Sequence, residues 1–309
     1  MAYVTGTAND MATLRSAIQL ACTANGWTLT GDILHKGSVA MRVTAWTRTG
    51  AGGAELLEFK GGTGVSGAAL TNPAPGSAEI GGIPALALLF PVTYHVFVHA
   101  APDEVYVVAQ YNVDRAQYAA WGQSTLPLPG SGAWFSASSH GARPAAYGDA
   151  EQAGVLYNGF GGHSVCAAFW RSTVGSTLAT IAESFIHHGL DGATWSDAKT
   201  LPQPSAYMSS QPLLSMLPSV WNGESVLLPI QAVMARPSNR YSLVVDCAHA
   251  RYARLDNHNP FEVFAIGSDQ WMMIPWLRKN SAVRNGGATG TAADVHSGTL
   301  GFAVRYDGP

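Results

Sequence analysis

The sequence predicts an α+β, β-rich fold: antiparallel sheets or a sandwich, entered through one N-terminal amphipathic helix. Three observations carry that expectation. Apolar residues recur at helical spacing near the start, short runs rich in Val, Thr, Tyr and Trp follow, and Gly and Pro punctuate the intervals. At 309 residues and 47% hydrophobic, the chain is long enough for one large domain or two ordinary ones with a sizeable core.

The helix is read from Met11, Leu14, Ile18, Ala21 and Cys22, which put one stripe against a core. Thr7 and Asp10 have capping-box spacing with aspartate in the usual Glu/Gln position, and Asn25-Gly26 supplies a left-handed stop. Strands are expected at 27–30, 39–47, 55–59, 94–99 and 105–111, an antiparallel meander packed on the helix. Gly50 to Gly53 and Ala101 to Glu104 read as turns within it. Residues 121–154 are dense in Gly, Pro, Ser and Ala and read as a boundary or long loop, so a seam is placed near Gly130. This divides the chain into an N-terminal α+β domain, 1–130, and a β-rich C-terminal domain, 131–309. In the second, strands are expected at 165–172, 225–234, 241–247, 261–266, 270–275 and 300–306, with a second helix over 178–185 ending at Gly189.

Only 12% of the residues are charged, with four lysines against thirteen arginines, nine tryptophans and eleven tyrosines. Arg and large aromatics with Lys scarce is the bias of buried protein interfaces, which leans toward an assembled subunit. A net charge of −3 and the lack of a basic run argue against nucleic-acid binding. Arg236, Arg240, Arg251 and Arg254 have Asp246 and Asp256 as neighbours and are expected to pair locally. Cys22, Cys166 and Cys247 lie far apart in apolar surroundings and read as buried thiols of a protein made in a reducing cytoplasm. No secretory signal is visible, and the longest apolar stretch, Ile83 to Phe90, is too short to insert in a membrane.

Chemical motifs are weak. Gly62 to Gly67 fits G-x-G-x-x-G, but Pro73 and Pro75 stop any following helix and no ribose-binding acid lies at the required distance, so a glycine-rich loop is expected. Gly162-His163-Ser164-Val165-Cys166 falls one glycine short of a nucleophile elbow; Asp191, Asp256, His258 and His296 are the acids and histidines that would complete a hydrolase around Ser164. His95 and His99 on a strand sit roughly 13 Å apart and cannot share one metal ion. His187 and His188 diverge, and residues 256–260 read as a polar turn rather than a calcium loop. No cofactor, metal or catalytic residue is assigned.

Two sets of aromatic residues are candidate contact sites. Trp271 and Trp276, with Arg278 at the rim, form either a core strand or an anchor for a partner subunit, and both readings stand. Trp121, Trp195 and Trp221, each near Gly, Asn or Asp, are candidate stacking platforms for a host-surface glycan.

Several stretches together resemble structural proteins of tailed bacteriophages. They are Met1 to Asp10 with the following helix and Asn25-Gly26-Trp27, the strands at 94–98 and 105–109, Tyr118 to Gly122, Asp269 to Pro275, and His296 to Asp307. The resemblance implies a non-enzymatic virion subunit of the tail tip or baseplate, with copies of itself and other tail proteins as partners. Alternatives are a glycan-binding host-recognition module and, further off, the serine hydrolase.

Overall fold

The computed structural model describes residues 1–47, 55–81, 88–112, 115–140, 169, 184–197, 207–209, 225–238, 240–255, 258–276, 279 and 300–308. Strand β1 (Ala2–Ala8) leads into helix α1 (Met11–Ala24), followed by β2 (Thr28–Thr30), β3 (Ile33–Lys36), β4 (Val39–Thr47) and β5 (Glu55–Gly62). Next come β6 (Gly64–Ser66), β7 (Ala69–Thr71), β8 (Ala78–Gly81), β9 (Val92–His99), β10 (Glu104–Tyr111) and β11 (Arg115–Gln123). The chain continues through β12 (Ala133–Ala137), β13 (Ser139–His140), β14 (Ser184–His187), β15 (Trp195–Asp197) and β16 (Tyr207–Ser209). It closes with β17 (Leu227–Arg236), β18 (Arg240–Arg254), β19 (Val263–Ile266), β20 (Asp269–Pro275) and β21 (Leu300–Arg305).

These strands form a seven-stranded sheet, β1-β9-β10-β11-β12-β14-β15, between two six-stranded sheets. The N-terminal sheet is β13-β8-β5-β4-β3-β2, and the C-terminal one is β16-β17-β18-β21-β20-β19. Every pairing among the described residues is antiparallel, as expected. Strand alternation explains the layering. On β10, Val105, Val107 and Ala109 pack toward the N-terminal sheet, whereas Tyr106 and Val108 pack toward the C-terminal one. The middle sheet is therefore covered on both faces, and its strands read as nearly continuous apolar runs instead of alternating ones.

Helix α1 closes the core between the middle and N-terminal sheets with the predicted stripe, Met11, Leu14, Ile18, Ala21 and Cys22. Its N-cap is Asp10, whose carboxylate accepts the Thr13 N–H at 2.6 Å, rather than Thr7, which belongs to β1. The cap thus sits three residues later than the capping-box reading placed it.

Several expectations are corrected. The seam near Gly130 falls within the connection between β11 and β12, adjacent strands of one sheet, so it does not separate domains there. Gly130 is instead a close-approach residue: its N–H donates to the His188 carbonyl at 2.8 Å, and a Cβ would meet the His187 carbonyl oxygen at 2.5 Å. Gly130→Ala is expected to destabilise the fold by about 2 kcal/mol because backbone, not a movable side chain, occupies that space; an unchanged thermal midpoint would refute this. The loop reading of 121–154 covers β12, and residues 141–154 lie outside the described residues. Phe185, assigned to a second helix, lies in β14; residues 178–183 and the strand expected at 165–172, apart from Phe169, lie outside the described residues. The 62–67 glycine stretch forms the end of β5 and the first strand of a small hairpin, β6 with β7.

Candidate functional site

The tryptophans chosen from sequence go mostly inward. Trp121 is fully buried, packing edge-on against Trp27 and beside Phe59, so it has no face for a sugar. Trp271 is 7% exposed and lies beneath the Arg251 guanidinium; Trp276 is 2% exposed and meets Tyr252 edge-on. Of the two readings for that strand, the buried one describes both rings within this chain. Trp195 alone among the described stacking candidates is half-buried, on edge strand β15, with its indole N–H donating to the Asn72 carbonyl at 2.8 Å. Trp221, Arg278, Ser164, Cys166 and His296 lie outside the described residues. Much of the aromatic surplus fills two internal cores that a three-layer fold requires, which is why composition pointed to an interface.

Sequence reasoning missed the polar seam between the middle and C-terminal sheets. Glu104 opens β10, and strand parity aims it with Tyr106 and Val108 toward the C-terminal sheet. Opposite it, β18 loses register with β17: Pro229 pairs with Arg251 and Gln231 with Asp246, leaving 247–250 to bulge. The bulge frees the Ala248 and His249 N–H groups, which donate to the two Glu104 oxygens at 2.9 Å each; the Tyr106 hydroxyl donates to the second at 2.7 Å. Arg251 holds the bulge from behind by donating to the carbonyls of Cys247, Ala248 and Ala250. Burial pushes the Glu104 carboxyl up to about 7 against the pull of these hydrogen bonds.

Beside Glu104, the His99 and His249 rings stack in parallel, 4.2 Å between centroids and 7° apart. Burial first, and then the neighbouring His249, pushes His99 down to about 2. The arrangement is a clasp between layers: both Glu104 oxygens are occupied by donors of the fold itself.

Other expected pairings change partner. Arg236 forms a two-point ion pair with Asp191 at 2.7 Å, whereas Asp246 accepts from Gln231. Cys22 and Cys247 are buried free thiols, both pushed up by burial. His95 hydrogen-bonds Tyr3 at 2.7 Å and stacks on Phe261. Among the described residues, no group of three His, Cys, Asp or Glu is placed to hold a metal ion, and no helix is long and apolar enough to cross a membrane.

Among the described residues, one end of each outer sheet is an edge strand without a charged side chain. Strand β2 ends the N-terminal sheet with Leu29 38% exposed, and β19 ends the C-terminal sheet with Val263 37% and Ile266 40% exposed. Neither strand contains a Lys, Arg, Asp, Glu or Pro. Comparison with known proteins leaves this geometry to speak for itself: the sequence matches no protein-family model and no curated protein.

Proposed function

We propose that this chain is a structural subunit of a phage virion, built into the tail tip or baseplate and acting through contacts with copies of itself and other tail proteins. The observation that carries the reading is the pair of uncharged sheet edges bearing exposed Leu29, Val263 and Ile266. A free edge offers unpaired N–H and C=O groups to another strand, and proteins that stay apart commonly blunt it with Lys, Pro or a bulge. Here Lys and Pro are missing from β2 and β19, which leaves their exposed apolar side chains as the contact surface. Low overall charge supports the same reading, because fewer ions must be stripped of water when surfaces meet. The choice of a phage particle rests on the resemblance read from dispersed segments of the sequence alone.

The test is retention. The protein should co-purify with intact particles at the tail end, and the isolated chain should sediment as an oligomer. Val263→Lys with Ile266→Lys should shift that oligomer toward monomer by at least about tenfold in dissociation constant while leaving the thermal midpoint almost unchanged. A monomer that is absent from purified particles would overturn the proposal.

A further inference from the structure

Among the described residues, three serine–histidine pairs lie within hydrogen-bond distance, and the proton positions distinguish them. His187 Nδ1 accepts the backbone N–H of Ser131 at 2.9 Å, so that nitrogen is committed to the main chain. His188 Nδ1 accepts the Leu190 N–H at 2.9 Å; its proton is therefore on Nε2, which donates to Ser196 Oγ at 2.6 Å, the reverse of what a base requires. The third pair differs. His258 Nε2 lies 2.6 Å from Ser225 Oγ, and its Nδ1 faces Glu262 Oε1 at 3.7 Å.

A carboxylate facing Nδ1 keeps the proton there and leaves the Nε2 lone pair to accept the serine hydroxyl proton. The 3.7 Å gap is longer than a hydrogen bond, and catalytic contacts of this kind shorten when substrate binds. Other contacts fix the acid and base. Glu262 Oε2 accepts the Asn259 N–H at 2.8 Å, the His258 N–H donates to the Leu255 carbonyl, and the Phe264 ring lies 4.9 Å from the imidazole. Buried Nδ1 has no hydrogen-bond partner among the described residues, so the Glu262 carboxylate is the group it addresses.

Access is graded in the sense that acyl transfer needs. The His258 side chain is 9% exposed, while Ser225 is half-buried beside Val226, which is 40% exposed. Leu227 and Phe264 pack on the small apolar cluster on the outer face of the C-terminal sheet, giving an apolar flank next to the hydroxyl.

We propose that Ser225, His258 and Glu262 form an acyl-transfer site that hydrolyses short-chain acyl esters, an activity independent of the chain's place in a particle. Ser225 Oγ bonds to the ester carbonyl carbon as His258 Nε2 takes the hydroxyl proton. The bond from that carbon to the alkoxy oxygen then breaks, and Nε2 returns the proton to the leaving oxygen, releasing the alcohol. Water attacks the acyl-serine with His258 again taking the proton; the bond from the acyl carbon to Ser225 Oγ breaks, Nε2 returns the proton to that oxygen, and the carboxylic acid leaves. Glu262 acts as a positioning residue through His258.

The experiment treats the full chain with a fluorophosphonate probe and with p-nitrophenyl acetate. Mass mapping should place the label on Ser225, and Ser225→Ala should lose both label and turnover. His258→Gln should lower turnover at least about a hundredfold. Glu262→Gln should lower it roughly tenfold and alter the pH profile, with partial recovery in Glu262→Asp, while circular dichroism confirms that each variant is folded. Absence of label on Ser225, or turnover in folded Ser225→Ala and His258→Gln variants equal to that of the unmodified chain, would overturn the proposal.

Discussion

Glu104→Ala is expected to destabilise the protein by about 3–5 kcal/mol, measured by chemical denaturation near neutral pH. The side chain is fully buried and receives three donors: the Tyr106 hydroxyl and the Ala248 and His249 N–H groups. Alanine leaves all three facing a cavity between the middle and C-terminal sheets. Each stranded donor costs about 1–3 kcal/mol, and partial collapse of the cavity keeps the sum below the simple total. Glu104→Gln retains one carbonyl acceptor but turns an NH₂ group toward a donor, so an intermediate loss is expected. Because the bulge at 247–250 is held by Arg251 as well, the far-ultraviolet spectrum of folded Glu104→Ala should remain β-like. A change below about 1 kcal/mol would mean that the clasp contributes little.

Sequence reasoning succeeded where one physical cause dominated. Five apolar residues on one stripe defined α1, and a run rich in β-branched and aromatic residues marked β4 at its observed bounds, Val39–Thr47. It failed where residues answer to neighbours distant in the chain. Strand β1 was not expected; within it, a Cβ at Gly6 would lie 2.5 Å from the Tyr94 hydroxyl oxygen on the neighbouring strand. Strand β12 was hidden by the Gly and Pro before it, although Ala133–Ala137 is buried throughout. Glu104 was legible as the end of a turn, but only its parity with Tyr106 and Val108 hinted that it points inward. The tryptophans misled for a related reason. A sheet covered on both faces consumes about twice the large apolar side chains of an ordinary half-exposed sheet, so richness in rings described the interior. His258 was read from sequence with Ser164, and nothing local to it in the chain records that the Ser225 hydroxyl lies 2.6 Å from its Nε2.

Acid should weaken the fold through its buried histidines. His95, His99 and His188 are buried and all pushed below the ordinary histidine range by burial, His99 to about 2 and His188 to about 4. Their unfolded forms take up protons near pH 6.5 while the native forms stay neutral, so the unfolded state binds more protons below that point. Stability is therefore fully present above about pH 6.5 and falls as pH drops, by up to about 1.4 kcal/mol per pH unit for His99 and for His188 until the native value of each is reached, with His95 acting in the same direction. Glu104 acts in the opposite sense. Its native value is raised to about 7, so its contribution is fully present below about pH 4.5, the ordinary glutamate value, and is lost as pH rises through 7. Three buried histidines outweigh one carboxyl, and the thermal midpoint should fall between pH 7 and pH 5. A proton on His99 would also meet His249 stacked at 4.2 Å, with Arg305 and the N-terminal ammonium adding like charge. His99→Phe should flatten the acid slope if the variant packs, and Glu104→Gln should steepen it by removing the opposing titration. Differential scanning fluorimetry across about pH 4.5–8 reads all three proteins, and a midpoint that does not change between pH 7 and pH 5 in the unmodified chain would show that these imidazoles are not held neutral.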